Sequence, residues 1–346
     1  MKRILSLALC TILSLGAFGL VGCTLGGGNG DGGDSSASIK IVMPDGAPAL
    51  SMAKLMKDDM QFGNDVNYQV VAAGDIKSFI TGSGEKADIA LVPVNLASLL
   101  LGQGSEYKMV ASVTHGNLYL LSKNYKDNLT VDNASEMLKG KTVAVVNIAA
   151  VPGLTAKATL NKLDIPFVTE ESAKNGDNVF LRPVATGEQP AALLMQGVAD
   201  YVIAPEPAVS KITTAQPAVA KVGALHELYG KYPQAVMVVK SSLLESNAKL
   251  VEDIFDAMVE NQTWIANNPA DAATAVASKL TEGVTPTFDA TSITESAVTG
   301  SGINVVSMNA EAIAEINGYI ADIMPLGGET PVAKAFSEGF FVNIKA

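Results

Sequence analysis

Short apolar runs alternate with helical patterns along most of this chain. Ile39 to Met43, Val66 to Ala72 and Asp88 to Val92 have the character of strands, and Pro48 to Lys57, Asp75 to Thr81 and Leu96 to Leu101 that of the helices between them. Continuous apolar runs bounded by turn residues suit strands buried on both faces, and their alternation with helices predicts a mostly parallel sheet covered on both sides. Met109 to Val113 and Asn117 to Ser122 are two further expected strands. Polar residues then gather over Lys123 to Asn133, where a first crossover between lobes is expected. The alternation resumes with helix Ala134 to Lys139, strand Thr142 to Val146, helix Gly153 to Leu163, strand Val179 to Val184, helix Gln189 to Gln196 and strand Asp200 to Ala204. A short helix, Glu206 to Thr213, and a strand, Val219 to Val222, lead to a return crossing near Gly223 to Pro233 and a strand Gln234 to Lys240. The remainder is helical in character: Leu250 to Asn267, Ala270 to Leu280, Ala290 to Gly300, Ala310 to Met324 and Pro331 to Glu338, divided by breakers such as Pro269, Pro286 and Pro325. These are expected to pack on the first lobe, with the lone tryptophan, Trp264, in a core-facing position.

One pattern occurs twice. Ala87-Asp88, four apolar residues, Pro93 and Ser98 match Ala199-Asp200, four apolar or aromatic residues, Pro205 and Ser210 at a constant offset. Each copy predicts a buried strand that ends where proline has no N–H for the ladder. A second pair, Pro48-Ala49-Leu50-Ser51 and Pro152-Gly153-Leu154-Thr155, follows a strand in each case and opens a helix, where proline is favoured. The expectation is two similar α/β lobes, residues 38–123 with 232–346 and residues 124–231. In such sheets ligands sit beyond the carboxyl ends of strands and at helix N-termini. The turns at Asp45 to Leu50, Pro93 to Ser98, Asn147 to Thr155 and Pro205 to Ser210 should therefore face one cleft, with closure about a hinge.

The N-terminus bears on the compartment. Lys2 and Arg3 precede an apolar run, Ile4 to Leu20, closed by Leu20-Val21-Gly22-Cys23. A basic start, a short apolar stretch and small residues before a cut site describe a secretory signal over residues 1–22. Gly26 to Ser36 is almost wholly Gly, Asp, Asn and Ser, so residues 23–37 are expected to form a flexible tether. The formal net charge of −11 weighs against a nucleic-acid partner. With Cys10 inside the signal, no pair of thiols remains for a disulfide.

These residues carry a resemblance. The end of the signal resembles a bacterial lipobox, with Cys23 lipidated. Ile-Lys-Ile-Val-Met-Pro-Asp-Gly-Ala-Pro-Ala-Leu, Ala-Asp-Ile-Ala-Leu-Val-Pro and Ala-Pro-Glu-Pro-Ala-Val-Ser resemble ABC-transporter solute-binding lipoproteins of the nitrate/sulfonate/taurine and thiamine-pyrimidine-precursor type. The resemblance implies a type II periplasmic-binding fold with a helical C-terminal tail, a small-molecule solute in the interlobe cleft, and delivery to an ABC permease and its ATPase. It also implies a monomer held outside the cytoplasm by the lipid on Cys23, with no cofactor and no metal. The family's cleft loops fall on Asp45, Gly46, Ala47 and Pro48, on Pro93 and Asn95, on His115 to Tyr119 including Asn117 and Tyr119, on Val151, Pro152, Gly153 and Thr155, and on Glu206 between Pro205 and Pro207; Asn147 is a further candidate from its strand-end turn.

Each position has a second reading. Glu206 either accepts from an amino group of the ligand or sits in a helix first turn stabilised by the dipole; as a ligand contact it would repel an anion. Asn95, Asn147 and Thr155 are equally suited to capping or turn chemistry, and Asp45-Gly46 to a turn. His115 is better suited to the core or an edge, Arg182 to a surface ion pair, and Glu188 and Gln189 to a helix start.

Catalytic patterns are poorly served. Gly140-Lys141-Thr142 lacks the earlier glycine of a phosphate-binding loop, Ser135 standing there, and Lys141 opens a strand. No Gly-x-Ser-x-Gly elbow occurs, and His115 and His226 are far apart in sequence. The alternatives to a transport role are a ligand-sensing lipoprotein that contacts a membrane receptor and an enzyme related to the pyrimidine synthases that share this fold.

Overall fold

A computed structural model describes residues 38–184 and 189–345. The expected signal, the tether, Cys23 and Glu188 lie outside the described residues. Two six-stranded sheets form the architecture. The first has the order β12-β4-β11-β3-β1-β2, with β1 Ile39–Pro44, β2 Val66–Val71, β3 Ile89–Pro93, β4 Tyr107–His115, β11 Pro233–Lys240 and β12 Ile303–Ser307. The second has the order β10-β5-β9-β6-β8-β7, with β5 Leu118–Ser122, β6 Thr142–Val145, β7 Phe167–Val168, β8 Val179–Pro183, β9 Tyr201–Pro205 and β10 Ala220–Ala224.

The repeat is structural. β3 lies beside β1 in one sheet as β9 lies beside β6 in the other, all parallel, and each has an antiparallel strand on its other side, β11 and β5 respectively. The aspartates that precede β3 and β9 perform the same task. Asp88 Oδ2 accepts the N–H of Lys40 and Asp200 Oδ2 that of Thr142, both at 2.9 Å, while their own N–H groups donate to the carbonyls of the same residues. Each aspartate thereby locks the register of two neighbouring strands at their amino ends. Pro93 and Pro205 end the ladders at the opposite ends, as expected.

The lobe boundary lies earlier than the polar stretch predicted it. Asn117 to Ser122 was expected in the first lobe, yet β5 belongs to the second sheet, so the chain crosses at Gly116–Asn117 and not over residues 123–133. Gly116 makes this possible: its φ is +47° and an added Cβ would lie 2.8 Å from the Cβ of His226. A two-residue crossing leaves no polar stretch to mark it. Residues 123–133 instead cover the second lobe, where Lys126 Nζ donates to Ala218 O and Leu129 N–H to Val222 O. The return crossing runs between Ala224 and Pro233, within the expected span.

The tail differs in four places. Ile303–Ser307 adds an edge strand, β12, against β4. Pro331 to Glu338 forms no helix; Ser337 N–H donates to Gly102 O and Lys334 N–H to Ser98 Oγ, and Phe336, Phe340 and Phe341 cluster by ring contacts. Three rings held against a neighbouring element outweigh a helical composition. The helix expected over Ala290 to Gly300 begins only at Glu295, because the Asp289 carboxylate takes the N–H groups of Thr291 and Ser292 in a turn and Thr294 caps the helix from its side chain. Trp264 is only partly buried at the edge of the first lobe's core, with Lys57 Nζ over its ring.

Beyond packing on the first lobe, the tail reaches the second. The helix Ala310–Ile323 contributes Tyr319 to an apolar cluster that also holds Val92 and Val94 of the first lobe and Val151 and Leu154 of the second. The hydrophobic core is thus continuous between lobes. No helix among the described residues is long and apolar enough to cross a membrane.

Candidate functional site

The strand directions fix where a site lies. β1, β3 and β4 run the same way, and β4 ends at His115; two residues later β5 begins, antiparallel to β9 and β6. The carboxyl ends of the parallel strands in both sheets therefore face one seam at Gly116–Asn117. The two crossings are tied together there. Gly116 N–H donates to Tyr232 O at 3.2 Å, and Leu118 N–H to the Tyr232 hydroxyl at 3.3 Å.

The predicted residues take up different roles along this seam. Asp45 Oδ1 accepts from Gly46 N–H and Oδ2 from Thr287 N–H at 2.6 Å, so its carboxylate pins a turn to the tail. Gly46, with φ +110°, lets Ala47 and Pro48 open the helix Ala47–Leu50. Pro93 pairs with Ala235 at the end of β3. Asn95, just beyond, is 6 % exposed and donates through Nδ2 to Val332 O. Asn117 is 1 % exposed and donates through Nδ2 to Glu206 O.

In the second lobe, Asn147 adopts φ +54° and its carbonyl accepts from Ala150 N–H, a turn role and not a side-chain cap. Val151 and Pro152 open the helix Val151–Lys162. Gly153 is demanded by crowding, since a Cβ there would lie 2.1 Å from the carbonyl oxygen of Ile148. Thr155 is wholly buried, and its Oγ1 lies 2.7 Å from the hydroxyl of Tyr319. Its partner is the tail, and the hydrogen bond bridges the lobes.

Glu206 follows β9 directly and is 2 % exposed. Its two oxygens accept from Ser210, Oε2 from the N–H at 2.9 Å and Oε1 from the hydroxyl at 3.0 Å, with Lys221 Nζ 3.9 Å from Oε1. This is the helix-start role weighed from the sequence, at the first turn of Ala208–Ala215. Burial pushes the carboxyl up from its usual range, while Ser210 and Lys221 pull the other way. Tyr119 beside it donates to Gly300 O across the seam at 3.1 Å, lies under Lys221 Nζ at 4.4 Å and meets the edge of His226 at 5.8 Å. Burial lifts its hydroxyl to about 12.

Further residues line the seam. His115, at the end of β4, has Nε2 2.9 Å from Ser112 Oγ and 3.7 Å from Glu315 Oε1. Burial first, then the charge of Lys231, brings its pKa down to about 4, so the ring is neutral at pH 7. Glu315 is displaced upward by burial. The trio does not form a nucleophile relay: there the carboxylate holds the ring nitrogen opposite the nucleophile, whereas here both partners meet Nε2. Tyr229, Tyr232 and Tyr319 stack or meet edge-on in one cluster, and Tyr229 donates to Asp322 of the tail helix. The spacing of Ala312, Ile316, Tyr319, Ile320 and Ile323, which form the buried face of this helix, is the one signal in the sequence that could have marked it. No group of three or more His, Cys, Asp or Glu among the described residues is placed to hold a metal ion.

No protein-family model matches the chain, and no curated protein matches it in sequence. Solved structures share its fold. An ABC transporter from Parabacteroides distasonis superposes with a TM-score of 0.65 at 14% identity, over 88% of this chain and 99% of that one. The periplasmic aliphatic sulphonate binding protein SsuA from Escherichia coli gives 0.59 at 14% identity, over 85% and 88%. A mutant of DszB in complex with biphenyl-2-sulfinic acid gives 0.55 at 14% identity, over 85% and 95%. The fold is that of the periplasmic binding proteins.

Proposed function

We propose that this chain is the extracytoplasmic solute-binding component of an ABC importer, capturing a small polar organic solute between its lobes and passing it to a membrane permease. The observation that carries this is the facing of strand carboxyl ends from two like-built sheets across one pair of crossings. Open α/β sheets bind ligands at such ends, and paired crossings are where two lobes hinge. The fold shared over most of the chain with an ABC transporter and a sulphonate binding protein supports it. The cleft loops are those at Asp45, Pro93, Asn117, Asn147 and Glu206.

Anchoring through a lipid on Cys23 belongs to the same proposal and follows from the lipobox. The Cys23→Ser protein should leave the membrane fraction for the soluble fraction; retention in the membrane fraction contradicts the anchor. The binding role is separated from an enzymatic one by recovery. A solute bound by the purified protein and released by denaturation should return with unchanged mass, and a product of altered mass contradicts the proposal.

A further inference from the structure

Among the described residues, six buried side-chain atoms have no hydrogen-bond partner: Asn95 Oδ1, His115 Nδ1, Asn117 Oδ1, His226 Nδ1, Gln234 Oε1 and Glu315 Oε1. They are not scattered through the fold. Asn95 follows the carboxyl end of β3, His115 ends β4, Asn117 lies in the first crossing and His226 in the second. Gln234 stands near the start of β11, and Glu315 faces His115 from the tail helix. Buried polar groups are paired almost everywhere in folded proteins, and exceptions gather where a ligand or a reaction completes them. Here every one lies along the seam.

Two of the six have a fixed chemical identity. Asn95 and Asn117 each direct one amide atom at a backbone carbonyl oxygen, of Val332 and of Glu206, both at 3.3 Å. A carbonyl oxygen only accepts, so that atom is the NH2 group, and the atom left without a partner is the oxygen. Glu315 Oε1 is likewise an acceptor while ionised. The two imidazole nitrogens take either role according to tautomer. What the seam lacks is donors.

We infer that the solute presents at least two N–H or O–H donors, as an amino heterocycle, a polyamine or a polyol does, and that Asn95 Oδ1 and Asn117 Oδ1 accept from it. This rests on the solute-binding proposal and narrows it. An acceptor-only oxyanion such as an alkanesulfonate or nitrate would bring more lone pairs to a region already short of donors. A site built to accept from a ligand discriminates strongly against one that cannot donate, because its buried acceptors then stay unpaired. Both oxygens are sealed from solvent here, so the solute reaches them when the lobes part about Gly116–Asn117 and the 225–232 crossing.

The test is calorimetric titration of the full-length protein with cytosine, putrescine and glycerol on one side and ethanesulfonate and nitrate on the other. Binding of a donor-bearing probe, with no binding of the two anions, is the expected result. In Asn117→Leu and Asn95→Leu proteins that probe should bind at least tenfold more weakly; each variant also loses the N–H given to Glu206 O or Val332 O, so its unliganded melting temperature should fall while unfolding stays cooperative. Binding of ethanesulfonate or nitrate alone overturns the inference and leaves the solute-binding proposal standing. A donor-bearing probe that binds both variants as tightly as the parent overturns the assignment of the two asparagines. Failure of every probe to bind counts against the solute-binding proposal itself, and the inference falls with it.

Discussion

His115 shows how burial sets the chemistry of single residues at the seam. Its folded-state pKa, about 4, lies below the ordinary value of 6.5, so protonation favours the unfolded chain. The associated stability is complete above pH 6.5 and is lost as pH falls toward 4, amounting to roughly 3 kcal/mol at most over that window. Urea unfolding at pH 7 and pH 4.5 should show a smaller difference in His115→Gln than in the parent. An equal difference in both proteins contradicts a buried neutral imidazole. The paired aspartates make a second residue-scale prediction. Asp88→Ala and Asp200→Ala each remove a charged acceptor from a strand N–H and should each lower stability by about 1 to 3 kcal/mol, read from the urea midpoint. The Ala-Asp pairs were visible in the sequence as a repeat, but their matching hydrogen bonds were not, because a motif shows which residue recurs and not what it touches. For the same reason Thr155 was placed among the ligand loops by its position, whereas its hydroxyl meets Tyr319, far along the chain.

At the scale of elements, apolar runs and proline stops located the strands that build the two sheet centres, since burial on both faces leaves an unmistakable run. Edge elements were less legible. The five residues of β12 and the two of β7 are too short to show a period, and the C-terminal segment owes its path to phenylalanine contacts that composition does not encode. The first crossing was misplaced because two residues do the work expected of eleven. Glycine at the joins follows from contacts of this kind. Gly302, next to β12, has φ +62°, and a Cβ there would meet the His115 carbonyl oxygen at 1.7 Å. Gly302→Ala should therefore destabilise by more than the roughly 1 kcal/mol of backbone conformation alone. A melting temperature within experimental error of the parent contradicts this geometry.

For the whole molecule, the tail helix Ala310–Ile323 is what makes two sheets into one body. It packs on the first lobe, holds Thr155 of the second through Tyr319, and joins the tyrosine cluster beside both crossings. Tyr319→Phe removes one buried hydrogen bond while keeping the ring, for an expected loss of about 1 kcal/mol in chemical unfolding. A loss of several kcal/mol would mean that the bond is coupled to the wider packing between lobes. Two like-built sheets were legible from the internal repeat, whereas the strand order that fixes the seam came only with the structure. The residues that line it were only partly legible, because Tyr232, Gln234 and Glu315 are brought in from distant segments. The central claim is that this seam receives a small solute, and the most direct measurement is a thermal-shift screen of the purified protein against aminopyrimidines, polyamines, polyols, amino acids, sulfonates and nitrate. A ligand that binds only the folded state at a hundredfold excess over its Kd adds roughly 2.7 kcal/mol, so at least one compound should raise the melting temperature by several degrees in a concentration-dependent way. A flat response to every class, from protein that unfolds cooperatively, would contradict it.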